Sequence, residues 1–287
     1  MELLVVLLAL GATLCWGMDQ VLGKFVLRDL DVLTFNALRP AFAMIFVIPY
    51  ALFFGQLSYG AIELIALVAF AGFIAEFLGV ELYFYIIKRS TAHLVIPVGN
   101  SDPLWAALGA ILLLSEEASS IVFISIAFVI IGTFFLSQES GWGLKQRWWK
   151  GVILAAFVAF LWGISMPITK YCLDSGMSMA TAQTVRVTVS LFCCSALMFA
   201  KRPSMKVKAS VRTLKLTLLS GFLAYFLGFM LWLQAMNMES ANAIAPFLGG
   251  KAVFGFLFAI LILREKFTKR SVLGMLSILL GMLLVSI

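Results

Sequence analysis

Residues 73–79 read FIAEFLG and residues 222–228 read FLAYFLG. The likeness extends on both sides of these seven positions. From Gly72 to Glu116 the chain aligns without a gap onto Gly221 to Glu265 at an offset of 149, with 15 identities in 45 positions. Pro97 falls on Pro246, and AILLLSE (110–116) on AILILRE (259–265). Upstream, Trp16-Gly17 followed by Lys24 recurs as Trp162-Gly163 followed by Lys170 at an offset of 146, and Arg39 recurs as Arg186 at 147. Self-similarity at one near-constant offset across most of a chain means a duplicated structural unit.

The medium of that unit follows from composition. Of 287 residues, 63% are apolar and 12% charged, whereas a soluble domain has about 45–50% and 25%. Water cannot be kept from so much apolar surface by one packed core. In a bilayer every backbone group must be satisfied internally, so spanning elements are helices or a closed barrel. The apolar runs here are continuous and roughly 20 residues long, the length of a helix across hydrocarbon and not the alternation of barrel strands. Hydropathy predicts helices over 3–27, 32–54, 61–87, 91–114, 120–137, 151–173, 178–200, 216–237, 241–263 and 270–287. The expected fold is an all-α integral membrane protein, with a first five-helix repeat over 1–137, a basic linker loop over 138–150 and a second five-helix repeat over 151–287. Five is odd, so the second copy crosses in the opposite sense and the two repeats are inverted. Inverted repeats are the architecture of secondary transporters, with a substrate site near the midplane between halves that exchange two mirror-related arrangements. One chain supplies both halves, so a monomer is expected to work alone.

The net charge of +7 does not point to nucleic acid, because the basic residues sit in short loops between apolar runs. Setting aside Arg39, Arg186 and Lys251, which fall inside spans, 18 of the 21 Lys and Arg remain, and 17 of these flank the loops after helices 1, 3, 5, 7 and 9. Lys170 alone lies on the other side. The positive-inside rule puts those loops in the cytoplasm and both termini outside. The first apolar run starts at Leu3 without a basic leader or an A-x-A-like site, so it is expected to be a retained helix. Cys15, Cys172, Cys193 and Cys194 lie in apolar segments without C-x-x-C spacing and read as small core residues. One histidine, His93, and no Cys cluster leave no metal shell. Gly249-Gly250-Lys251 is followed by Ala252 and is not a phosphate loop. No cofactor and no enzymatic activity are expected. The competing class is a membrane-embedded enzyme or lipid- or peptide-handling protein using Asp19, Glu76 and Asp102 as acid and base.

The doubled Trp-Gly, the doubled Arg in helices 2 and 7, the Pro in helices 4 and 9, and the closing Glu116 and Arg264-Glu265 together resemble the ten-helix drug/metabolite transporter (DMT) superfamily of the EamA type. The resemblance covers essentially the whole chain. It implies an exporter or importer of a small metabolite, commonly an amino acid or related compound, with a cavity lined by helices 1, 3, 4, 6, 8 and 9. It also implies termini on the cytoplasmic side, against the basic-residue count; that count bears on this chain directly.

An ionisable group at membrane depth is costly and so is a functional candidate. Features shared by both halves suit the scaffold: Lys24 and Lys170 snorkel from helix ends, and Arg39 and Arg186 anchor their helices, the alternatives being substrate contact or a gating ion pair. Features that differ suit an asymmetric substrate. Asp19 aligns with Ser165, Glu76 with Tyr225, Glu81 with Met230, and Asp102 with Lys251. Asp102 and Lys251 are at equivalent depths and are expected to meet, either neutralising each other as a lock or holding the two ends of a zwitterion. Pro97 and Pro246, with Asn100, Gly249 and Gly250, are expected to break helices 4 and 9 where a ligand binds and the gates move. Trp16 and Asp19, like Trp162 and Ser165, share inward faces at helical spacing, and with Tyr83, Tyr85, Tyr225 and Trp232 could enclose a cationic group. Glu76 and Asp102 are the proton-coupling candidates, since burial favours the neutral form of a carboxyl; the bland alternative for Glu76 is a structural pair with Arg39. Ala75 and Gly79, like Ala224 and Gly228, have the small-xxx-small spacing of close helix packing. The substrate-binding candidates are therefore Trp16, Asp19, Glu76, Tyr83, Asn100, Asp102, Trp162, Tyr225 and Lys251.

Overall fold

The computed structural model describes residues 1–54, 57–58, 60–89, 98–117, 119–137, 148–201, 210–263 and 268–286. The apolar runs form helices because a backbone without water neighbours must bond to itself. In chain order these are α1 (Leu3–Val26), α2 (Val32–Phe53), α3 (62–89), α4 (Asp102–Leu114), α5 (Ser120–Ser137), α6 (Trp148–Asp174), α7 (Met179–Lys201), α8 (Val211–Met238), α9 (241–263) and α10 (Lys269–Ser286). The ten helices are all-α as expected, and among the described residues there is no strand. Eight of them are long and apolar enough to cross a membrane, while α4 and α5 are shorter apolar helices.

Helix ends follow local chemistry. Asp31 caps α2 by accepting from the Thr34 backbone N–H at 3.0 Å and its hydroxyl at 2.6 Å. Gly176 supplies the left-handed turn after α6, with φ 92°. Helix α8 begins five residues before the hydropathic expectation of 216. Ser210 accepts from Thr213 N–H at 3.1 Å, and Arg212 and Lys215 sit on a first turn that hydropathy alone discards.

Two helices are not uniform. In α3 the segment Phe73–Gly79, and in α8 the segment Phe222–Leu227, wind as π-helix. These are the FIAEFLG and FLAYFLG stretches. An inserted residue in a helical turn frees backbone carbonyls, and here several carbonyls of the two segments accept from side chains of other helices. Trp162 Nε1 donates to Ala75 O at 3.1 Å and Trp16 Nε1 to Ala224 O at 3.2 Å. Gln183 Nε2 donates to Tyr225 O, and Ser190 Oγ to Glu76 O at 3.1 Å. The two tryptophan bonds exchange under the repeat: each copy's first helix reaches the other copy's third. So do Gly72 against Arg186 and Gly221 against Arg39. The small residues at 75, 79, 224 and 228 thus receive an indole rather than a neighbouring helix backbone. A Cβ on Gly79 would lie 2.7 Å from Trp162 Nε1, and one on Gly228 3.1 Å from Trp16 Nε1.

Helix α9 is interrupted as well: Ala241–Ile244 is α-helical, Ala245–Gly249 tightens to 3₁₀ with Pro246 in its first turn, and α-helix resumes at Gly250. Before α4, Val98 and Gly99 are helical and Asn100 and Ser101 are not, with Ser101 Oγ donating to Val98 O at 2.7 Å. Pro97 and His93 lie outside the described residues. Helices α5 and α10 pack on each other at the periphery, Ser277 Oγ donating to Phe128 O at 2.8 Å. The other eight helices surround a central cavity.

Candidate functional site

The cavity has a volume of about 130 Å³. A single water needs at least about 10–15 Å³, so the space admits several waters or a small solute. Trp16, Asp19 and Gln20 come from α1; Ala75, Glu76, Val80, Tyr83 and Phe84 from α3; Asp102 from α4; Trp162 and Met166 from α6; Ala224, Tyr225 and Phe229 from α8; Leu248 and Lys251 from α9. Arg39 of α2 and Arg186 and Val187 of α7 complete it, so two more helices contribute than the resemblance implies.

Six charges line this space, and they form three pairs. The first is Asp19 with Arg39. Arg39 Nη2 donates to Asp19 Oδ2, Arg39 Nε to Ser220 Oγ at 2.9 Å, and Ser220 Oγ to Asp19 Oδ1 at 2.5 Å. This closed ring uses both oxygens of the carboxylate. Phe35, Phe84 and Tyr225 cover the guanidinium at 5.0, 5.4 and 5.0 Å. The second pair is Glu76 with Arg186, whose Nη2 donates to Oε1 at 2.6 Å. Arg186 Nη1 also donates to Thr169 Oγ1, and Phe229 lies 4.5 Å from the guanidinium. Here the carboxylate is half used, for Glu76 Oε2 accepts no hydrogen bond from the protein. The third pair joins Lys251 Nζ to Asp102 Oδ2 at 2.7 Å, with the ammonium 4.9 Å from the Trp162 ring centre. Asp102 Oδ1, also buried, is unbonded.

Of the sequence candidates, Trp16, Asp19, Glu76, Tyr83, Asp102, Trp162, Tyr225 and Lys251 converge on the cavity wall. Asn100 does not: it is fully buried away from the cavity, its side-chain amide without a protein partner. Gly249 and Gly250 pack against Val129 and Thr13 at the join between 3₁₀ and α-helix, behind Leu248 and Lys251. Glu76 pairs with Arg186 instead of Arg39, because Asp19 and Ser220 already enclose Arg39. Tyr85 is 46% exposed and points out of the bundle. Glu81 is buried off the cavity beside Asn36 and Cys194. Lys170 pairs with Asp174 at 2.8 Å near the end of α6. What sequence reasoning left out of the site is the arginine pair itself. The doubling of Arg39 and Arg186 suggested scaffold; the acids at 19 and 76, each aligned with a neutral residue, Ser165 and Tyr225, were the signal that each arginine has a distinct partner.

The halves are bonded to each other at both ends of the bundle, at one end by Thr213 Oγ1 donating to Asp29 Oδ2 at 2.5 Å and at the other by contacts around Glu116 and Ser58. Glu116, after α4, accepts from the backbone N–H groups of Ala241 and Asn242 at 2.9 and 2.8 Å, capping α9, and Asn242 Nδ2 donates to Glu117 O at 3.1 Å. On the same face Ser58 Oγ donates to Gly176 O and Ser178 N–H to Ser58 O, both at 3.3 Å.

The model of the EamA-like transporter family matches residues 3–138 and again residues 149–287. An uncharacterized transporter from Archaeoglobus fulgidus is 24% identical to this chain over 285 residues, covering 98% of each. A solved crystal structure with 15% sequence identity superposes with a TM-score of 0.81 over 98% of this chain and 95% of its own, a likeness of fold.

Proposed function

As a member of the EamA-like transporter family this chain is a multi-pass membrane transporter, and we propose that it is a secondary carrier moving a small zwitterionic or cationic solute, of the amino-acid or amine kind, by alternating access. The observation that carries this reading is the cavity's charge inventory. Three cations and three anions balance, yet Glu76 Oε2, Asp102 Oδ1, Arg39 Nη1 and Arg186 Nε remain buried without partners. A solute bearing both an ammonium and a carboxylate satisfies these acceptors and donors together, and an amine satisfies the carboxylate acceptors. Exchange of partners within the pairs then couples occupancy to the opening of one end of the cavity and the closing of the other. Glu76 is the proton-coupling site in this reading, because its carboxylate is the more exposed of the two arginine partners and has a free oxygen; Asp102 is the second candidate. The protein works as a monomer, with both termini outside the cell.

Radiolabelled counterflow in proteoliposomes tests the carrier. Solute loaded inside should accelerate uptake of label several-fold. Uptake indifferent to internal solute would indicate a channel, and chemically altered label an enzyme. A fluorescent reporter that matures only in the cytoplasm, fused to the C-terminus, should stay dark; a bright fusion reverses the topology.

A further inference from the structure

Nearly every polar group on the cavity wall is committed to another part of the protein. The indoles of Trp16 and Trp162 donate to Ala224 O and Ala75 O, and the Tyr225 hydroxyl to Glu76 O at 3.3 Å. The three ion pairs hold each other, and the atoms left unbonded in them are enclosed by protein, so they become available only when partners exchange. Among the described residues that leaves two wall groups bonded to nothing, the Tyr83 hydroxyl and the Gln20 amide. Tyr83 is 4% exposed, with its ring on Trp162. Gln20 is half-buried and offers both a donor and an acceptor. It is also a place where the halves differ, for the repeat carries Gln20 onto Met166 and Gly255 onto Ala106. Helix α1 crosses α9 as α6 crosses α4: a Cβ on Gly17 would lie 2.7 Å from Gly255 N, and one on Gly163 2.9 Å from Ala106 N. A Cβ on Gly255 would lie 3.2 Å from Gln20 Oε1. The methyl present at Ala106 is missing at Gly255, and the Gln20 amide lies against the bare backbone there.

We propose that Gln20 is the residue that selects the solute's side chain, and that it selects a neutral group which both donates and accepts hydrogen bonds, a carboxamide being the closest match. Asp19, its neighbour on α1, and Lys251, one turn before Gly255 on α9, belong to two of the three ion pairs, so a solute whose charged ends exchange with those pairs has the amide beside it. A carboxamide meets the Gln20 amide reciprocally, N–H to O in each direction. An aliphatic side chain of the same shape displaces water from the amide and returns no bond, which is the condition under which a polar site discriminates most strongly. Gly255 is a positioning residue: its missing side chain lets the amide stand where it does. Met166 and Ala106 give the other half an apolar wall at the equivalent place, so the preference comes from one half alone. This assignment rests on the reading of the cavity as a carrier's site for a solute of the amino-acid kind.

The test compares L-asparagine with L-leucine, alike in branching and differing in the polarity of the end group, by calorimetric titration of the purified full-length protein. The wild type should bind asparagine about tenfold more tightly or better, although leucine gains more from leaving water. Gln20→Met, which installs the residue the other half has at the equivalent place, should lower that preference about tenfold, mainly through weaker asparagine binding. Gly255→Ala, again the other half's residue, displaces the amide by a few tenths of an ångström and should lower the preference about threefold with leucine affinity unmoved, which provides a reading should the methionine variant not fold. Equal affinities in the wild type, or a preference unchanged in folded Gln20→Met or, failing that variant, in Gly255→Ala, would overturn the assignment. Counterflow of labelled asparagine and leucine separates this from the carrier reading: equal counterflow of the two removes the role of Gln20 and leaves the carrier, whereas a binding preference that depends on Gln20 in a protein without counterflow leaves the side-chain site and removes the carrier. Binding of neither amino acid overturns both.

Discussion

The Arg39 and Arg186 sites are two copies of one ancestral cage that have come to differ in where the acid stands. Around Arg39, position 19 on α1 is Asp and position 225 on α8 is Tyr; around Arg186, the equivalent positions are Ser165 on α6 and Glu76 on α3. Shifting the carboxylate from one wall to the other changes its bonding. Asp19 spends both oxygens on Arg39 and Ser220, and its side chain is 10% exposed. Glu76 spends one, keeps Oε2 free, and is 17% exposed. The same cation thus serves as a closed anchor in one copy and as an open, cavity-facing pair in the other. The lesson is that a duplicated charge is not sufficient evidence of a shared role; the position of its partner decides.

This contrast can be broken by removing each acid in turn. Asp19→Ala should have the largest effect: it strands a guanidinium that is fully enclosed and leaves Ser220 without its acceptor, a loss of about 3–5 kcal/mol, seen as poor folded yield and a steep fall in thermal stability. Glu76→Gln should cost far less, about 1 kcal/mol, because the amide oxygen still accepts from Arg186 and Thr169 and Ser165 still bond it. Its effect should be functional instead. Ligand binding is retained, and the pH dependence of uptake in proteoliposomes disappears. Equal destabilisation by the two changes would mean the cages do equivalent work, and unchanged pH dependence in Glu76→Gln would move coupling to Asp102.

Much of this was legible in the sequence because duplication supplies its own comparison. The offset of 149 located α3, α4, α8 and α9, the odd helix count gave the inversion, and the mismatch of charge at 102 and 251 singled out a pair that the structure joins at 2.7 Å. The π-turns were not legible. FIAEFLG and FLAYFLG have no proline or polar run to announce a change of winding, and what stabilises it is a tryptophan from the other half, over 80 residues away in one case and over 200 in the other. The partner of Glu76 was missed for a related reason. Residue depth can be read from hydropathy, but which of two arginines an acid reaches depends on how helices from different halves are set against each other. Asn100 shows the limit from the other side: a polar residue beside a helix break was a reasonable cavity candidate, and it packs behind the wall.

The most direct test of a functional role for the unlike charges of the two halves is the double variant Asp102→Asn with Lys251→Met, assayed by counterflow after its fold has been checked by thermal unfolding and elution as a single species. Replacing a whole buried pair with neutral groups avoids a stranded charge and is often tolerated by the fold. The expected result is a folded protein whose counterflow falls to background. Counterflow at the wild-type rate in the folded double variant would contradict it, reducing the pair to mutual neutralisation and shifting the site to Asp19 and the two tryptophan faces.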